Sequence, residues 1–270
     1  PRTLTMSIYG DLDVSIINEL PPGRKKINTL TLKDSKRLRV FKFMKDQIKT
    51  GRQVYIVYPL IEESKKMDLK NLEDGFESVC RYFDNENYAI GVLHGKMKSE
   101  NKDFEMNRFV NGETNILVST TVIEVGVNVP NASVMVIENA ERFGLSQLHQ
   151  LRGRVGRGEY NSYCILMTKD KMSPDAETRI NAMVSTNDGF KISEIDLKLR
   201  GPGDILGTQQ SGVVDFKIAD LTNDLKIFDL AKKEVKKLIS NDPKLKHPNN
   251  ITIRQELLEF YNNKSWSSIG

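Results

Sequence analysis

The sequence predicts an α/β fold, a parallel sheet covered by helices on both faces, and three observations carry that expectation. Short, nearly continuous apolar runs recur at Ile27 to Leu32, Gln53 to Pro59, Tyr88 to His94, Asn115 to Thr120, Val134 to Glu138 and Ser162 to Thr168. Strands covered on both sides read this way, whereas a strand with one wet face alternates. Between the runs lie Lys36 to Lys49, Asn71 to Phe83 and Glu100 to Phe109, with apolar residues at helical spacing. Finally, 270 residues at 39% hydrophobic content suffice for one sizeable core plus smaller appendages. Alternating strands and helices imply right-handed crossovers, with ligands gathered where loops leave the carboxyl ends of the strands.

Three pieces lie outside this core. Pro1 to Leu20 is closed by Pro21, Pro22 and Gly23 and followed by basic Arg24, Lys25 and Lys26, so it reads as a linker. After the last run come a helix from Asp175 to Val184, a turn at Asn187, Asp188 and Gly189, and a helix or strand to Leu199. A glycine-rich loop follows, in which Gly201-Pro202-Gly203 reads as a tight turn. From Asn223 onward the pattern predicts a helix from Asp224 to Ile239, then Pro243, Pro248 and a loosely ordered polar end. There is no internal repeat.

Composition excludes several classes. Forty Lys and Arg against 36 Asp and Glu leave a net charge of only +4, which permits an acidic partner without requiring one. Cys80 and Cys164 sit inside apolar patterns and read as buried free thiols of a reduced, cytoplasmic protein. They and the three histidines show no metal-ligand spacing. No run is long enough to span a bilayer, and no signal-peptide pattern opens the chain. The chain starts at Pro1 without a methionine, so a longer parent protein is expected.

The most informative stretch is Gln147 to Gly158, where Gln150, Gly153, Arg154, Gly156 and Arg157 give the spacing Q-x-x-G-R-x-G-R. A phosphoryl group in transfer carries spread negative charge that guanidinium forks stabilise, and glycines let the backbone approach closely. A solvated basic turn is the bland alternative, and the matched positions side by side argue against it. Two other patterns mislead. Gly95-Lys96 looks like the end of a phosphate loop, but Met97 stands where Ser or Thr is required. Gly201, Gly203 and Gly207 nearly imitate a dinucleotide fingerprint, with the wrong spacing.

With its neighbours, the arginine stretch resembles motif VI of superfamily-two helicases, and the chain resembles the RecG group among them. Pro1 to Leu4 resembles the end of motif III, Tyr58 to Ser64 the RecG form of motif IV, and Leu93-His94-Gly95 the segment after it. Ser119 to Pro130 resembles motif V, and Arg200 to Gln210 the translocation motif that RecG shares with the transcription-repair coupling factor. The resemblance implies a RecA-like second motor lobe over 24–172, preceded by the tail of a first lobe over 1–23. A helical hairpin with the translocation loop would follow over 173–222, and a helical extension over 223–270.

The resemblance further implies that Arg154 and Arg157 act as arginine fingers on ATP, supported by Gln150, with Gly126 and Asn128 also on the nucleotide side. The family pattern commonly has Asp where this chain has Asn128. Thr120, Thr121, His94 and Gly95 would meet DNA, while Arg200, Gly201, Gly203, Gln209 and Gln210 would couple ATP turnover to movement. ATP and Mg2+ would be bound mainly by a first lobe, because this sequence holds neither a phosphate loop nor an acidic box. The implied partners are branched and duplex DNA and single-strand DNA-binding protein, met by a monomer at the bacterial nucleoid. Competing readings are a coupling-factor-like translocase and a stand-alone binding module.

Overall fold

The computed structural model describes residues 25–59, 65–84, 88–121, 129–205 and 224–263. In chain order the elements are β1 (Asn28–Lys33), α1 (Arg37–Lys49), β2 (Gln53–Val57), α2 (Lys65–Phe83), β3 (Ile90–Leu93), α3 (Ser99–Val110) and β4 (Ile116–Ser119). They continue with β5 (Ala132–Ile137), α4 (Leu145–Arg152), β6 (Tyr163–Thr168), α5 (Pro174–Ser185), α6 (Gly189–Ile205), α7 (Leu225–Asn241) and α8 (Ile251–Asn263). All strands pair in parallel, in one six-stranded sheet ordered β1-β6-β5-β2-β4-β3. The predicted α/β class is therefore the observed one.

Strands β2 to β6 feed two cores, because successive side chains point to opposite faces. By contrast, β1 is an edge strand, largely exposed, that gives only Leu32 to one of them, so its apolar run is not covered on both sides as expected. Tyr55 and Val57 of β2 join Phe109 of α3, Leu148 and Leu151 of α4, Ile180 of α5 and Ile192 of α6. Val54 and Ile56 face the other way, onto Val40, Phe41, Met44 and Ile48 of α1 and Leu72, Val79 and Phe83 of α2. Each such fully buried side chain contributes about 1.5–3 kcal/mol. Helix ends follow local chemistry. Gly51, at φ +82°, closes α1 with its N–H on the Ile48 carbonyl at 2.8 Å. Ser173 opens α5, its hydroxyl accepting the Ala176 N–H at 3.3 Å ahead of Pro174 in the first turn.

The larger compact unit ends at Asp196, and the residues from Leu197 belong to a second unit. Within that second unit α7 and α8 are joined by a turn built on Asp242. Its carboxylate accepts the N–H of Lys246 at 3.0 Å, the N–H of His247 at 2.8 Å and the Asn250 amide at 3.0 Å. These donors pull its pKa down to about 2.

Several expectations need correction. Helix α6 runs through Gly201-Pro202-Gly203 to Ile205, where a turn was expected. Proline's locked φ is itself a helical value, so the triplet weakens a helix without forbidding one. Part of the polar end forms α8, whose β-branched start hid the helical pattern. Cys164 is buried, but Cys80 is only partly so, because Val79 and Phe83 take the core face of α2 and Cys80 lies a step around it. Among the described residues no cluster of His, Cys, Asp and Glu could hold a metal, and no helix is long and apolar enough to cross a membrane.

Candidate functional site

The arginine stretch begins inside α4, which buries Leu145, Leu148 and Leu151. At its start the Gly144 N–H donates to Gln147 Oε1 at 3.0 Å. Its last residue, Arg152, is only 2% exposed despite its charge. Arg152 Nη1 donates to the carbonyls of Met183 and Thr186, both at 2.8 Å, and to Thr29 Oγ1 at 3.4 Å. Nη2 lies 3.1 Å from His149 Nδ1. A helix leaves its last carbonyls without partners, and this guanidinium serves those of α5. Arg152 stands four residues after Leu148, on the apolar stripe of α4, which is the signal that marks it as structural.

The chain then turns sharply. The Arg154 N–H donates to the Leu151 carbonyl at 3.0 Å, and Val155 is fully buried. Gly156 sits at φ +75°, and a Cβ there would lie 2.8 Å from Ile27 Cγ1. A Cβ on Gly158 would lie 2.6 Å from the Pro130 carbonyl oxygen. The glycine spacing thus wedges the turn between the segments that enter β1 and β5. Arg154 is left half-buried, and Gln150 and Arg157 are exposed. Arg157 Nε donates to the Gly153 carbonyl at 3.2 Å. Burial pushes the Tyr55 phenol up, and Arg154 and Arg157 both oppose that shift, which puts the two cations near one tyrosine. Beside them, the Arg52 guanidinium lies 3.2 Å from the centre of the Tyr160 ring and bonds Asn131 Oδ1 at 2.8 Å.

Gln150, Arg154 and Arg157 therefore occupy the amino edge of the sheet, not the carboxyl ends of the strands where ligands were expected. A right-handed crossover sends each helix back to the amino edge, so a motif that follows a helix emerges there.

The carboxyl edge carries the other set. There β2, β4 and β3 end side by side, with the Tyr58 N–H on the Ser119 carbonyl at 2.8 Å and the Thr120 N–H on the Leu93 carbonyl at 3.2 Å. Thr120 is buried and Thr121 half-buried. Thr120 Oγ1, Ser119 Oγ and His94 Nδ1 are buried without a hydrogen-bond partner among the described residues. Burial pulls the His94 imidazole below its ordinary pKa, Lys102 and Lys96 add to that, and Glu73 opposes it. Gly95 is exposed, and its carbonyl accepts Lys102 Nζ at 2.8 Å.

Sequence reasoning missed the brace of this edge. Arg37, at the start of α1, forms a two-pronged pair with Glu138, with Nη1 on Oε1 and Nη2 on Oε2 at 2.9 Å. Glu138 is 2% exposed; burial pushes its carboxyl up and Arg37 opposes this. Burial pushes the Tyr58 phenol up and Glu138 adds to that, while the neighbouring Arg37 opposes it. Of the remaining candidates, Gly126, Asn128, Gln209 and Gln210 lie outside the described residues, and Arg200, Gly201 and Gly203 are in the last turns of α6.

A parallel RecA-like sheet with an arginine turn on its amino edge defines the carboxy-terminal lobe of a helicase motor. The family described as Helicase conserved C-terminal domain matches residues 35–159, and ATP-dependent DNA helicase RecG, domain 3, C-terminal matches residues 186–270. The chain is 48% identical over 259 residues to the ATP-dependent DNA helicase RecG of Bacillus subtilis, covering 96% of this chain and 38% of that protein. It is 51% identical over 250 residues to RecG of Synechocystis, covering 92% of this chain and 30% of that one. A solved structure of RecG bound to a three-way DNA junction has 46% identity and a TM-score of 0.64, covering 85% of this chain and 29% of that chain. The chain belongs to the RecG family. It spans about a third of the length of the curated relatives it matches.

Proposed function

We propose that the chain forms the second motor lobe and translocation module of an ATP-dependent DNA helicase that remodels branched DNA, such as stalled forks and Holliday junctions, in repair and recombination. The observation that carries this reading is the arginine turn, a glycine-wedged frame at the amino edge of the sheet on which Arg157 is exposed and Arg154 half-buried. Cations held in place suit the phosphates of ATP, which with Mg2+ would be held mainly by the first lobe. Arg154 and Arg157 are assigned to those phosphates, Gln150 to their support, and Gly126 and Asn128 to the nucleotide side.

DNA is assigned to the opposite edge, through His94, Gly95, Thr120 and Thr121. Thr121 and Gly95 offer surface there, while the buried Thr120 holds the strand end in place. Contacts of this kind meet the sugar-phosphate backbone and carry no base sequence. The relative solved with a three-way junction supports branched DNA as the substrate. Arg200, Gly201, Gly203, Gln209 and Gln210 are assigned to coupling, within a hairpin and loop over 173–222. The lobe proper is placed at 24–172, the first-lobe tail at 1–23 and the extension at 223–270. A monomer at the nucleoid, working beside single-strand DNA-binding protein, completes the reading.

The test is Arg157→Ala in the full-length protein. Its DNA-stimulated ATP hydrolysis should fall roughly a thousandfold, the scale of an arginine finger, while junction binding persists. Near wild-type turnover would remove the arginine turn from catalysis.

A further inference from the structure

We propose that Lys96 and Lys98 form a paired contact to the DNA phosphodiester backbone on the carboxyl edge, splayed by Met97 acting as an apolar peg between them. The inference rests on the helicase reading and adds the charge that the contact set His94, Gly95, Thr120 and Thr121 lacks. Strand β3 ends at the buried Leu93, and the chain doubles back at once, with the Met97 N–H on the His94 carbonyl at 3.2 Å. The His94 N–H points at Met97 Sδ, 3.4 Å away. Met97 packs against the core, and Lys96 and Lys98 on either side of it are exposed. One turn into α3, Lys102 Nζ reaches back to the Gly95 carbonyl at 2.8 Å and pins the turn.

This explains why Gly95-Lys96 imitates a phosphate loop without being one. Methionine at position 97 cannot serve a metal ion as Ser or Thr does; it anchors the turn instead, which throws both lysines outward. From His94 to Lys102 the segment carries three lysines against the single acid Glu100. Strand β3 lies beside β4, and neighbouring strands are about 4.8 Å apart, so the turn adjoins Thr121. A backbone crossing the hydroxyl and amide contacts of Thr121 and Gly95 would meet the two ammonium groups next.

Phosphate neutralisation releases counterions, so the lysines can be counted by salt. Full-length wild type, Lys96→Ala, Lys98→Ala and the double variant would be titrated onto a three-way DNA junction between 50 and 200 mM salt. Each lost contact should reduce the slope of log affinity against log salt by about 0.9, so the double variant loses about 1.8. Over that range the wild type should lose about twelvefold more affinity than the double variant. Lys96→Arg with Lys98→Arg should keep the wild-type slope. An unchanged slope in a double variant that melts like wild type overturns the proposal, as does an arginine pair that behaves like the alanine pair. If wild-type binding itself ignores salt, the helicase reading fails along with it; if only the double variant keeps its slope, the lysine pair alone fails.

Discussion

Replacing Arg152 by Met separates the arginine that builds the arginine turn from those that work on it. Methionine fills most of the same space, so the main loss is of donors. Two bonds at 2.8 Å to the carbonyls of Met183 and Thr186 disappear, together with the longer one to Thr29. Hydrogen bonds to a charged group contribute about 1.5–3 kcal/mol each, so the two short ones alone make a gross loss of about 3–6 kcal/mol. Against this stands the relief of desolvating a cation that burial already disfavours. A net destabilisation of about 2–4 kcal/mol follows, because the buried Met183 carbonyl and the half-buried Thr186 carbonyl both lose their donor. Urea unfolding followed by far-UV circular dichroism should show the midpoint falling by about 1–2 M. Arg152→Lys should recover part of the loss, since one ammonium cannot serve both carbonyls in the same fork. Arg157→Ala is the control; it is exposed and should change stability by less than about 0.5 kcal/mol. A loss below about 0.5 kcal/mol for Arg152→Met would refute the structural role.

Gly156→Ala forces a side chain into the left-handed region and toward Ile27, so it should cost about 2–3 kcal/mol by thermal melting and, on the proposed reading, lower the ATPase activity of the full-length protein with Arg154 and Arg157 both still present. Full-length Arg200→Ala or Gln209→Ala should retain DNA-stimulated ATPase yet lose unwinding of forks and four-way junctions; variants that melt and unwind normally would remove the coupling role. The Asp242 turn should open in acid. Its folded pKa of about 2 lies below the ordinary aspartate value of 3.8, so the stabilisation is present above the unfolded value and is lost as pH falls through the folded one. Protection of the Lys246 and His247 amides, taken against their intrinsic exchange rates, should fall between roughly pH 4 and 2, and Asp242→Asn should remove that dependence.

Much of this protein is written locally. The runs from Gln53 to Thr168 read as buried parallel strands because burial on both faces demands continuous apolar residues, and the helices between them carry their own period. The first run, Ile27 to Leu32, read the same way and forms an exposed edge strand. The spacing of Gln150, Gly153, Arg154, Gly156 and Arg157 likewise identified the arginine turn and, by resemblance, the family. What the sequence by itself could not decide was surroundings. Arg152 and Arg154 are two residues apart in one motif, yet Arg152 is buried under the carbonyls of α5 and Arg154 opens toward the amino edge. Arg37 and Glu138 are 101 positions apart and pair because β1 and β5 end on the same edge of the sheet. The allocation of Arg154 and Arg157 to one edge and of Thr120, Thr121, His94 and Gly95 to the other followed from the handed return of each helix across the sheet. Period and spacing are properties of neighbours in sequence; desolvation, ion pairing and which edge a loop reaches depend on the path of the whole chain, and only the folded structure supplies that path.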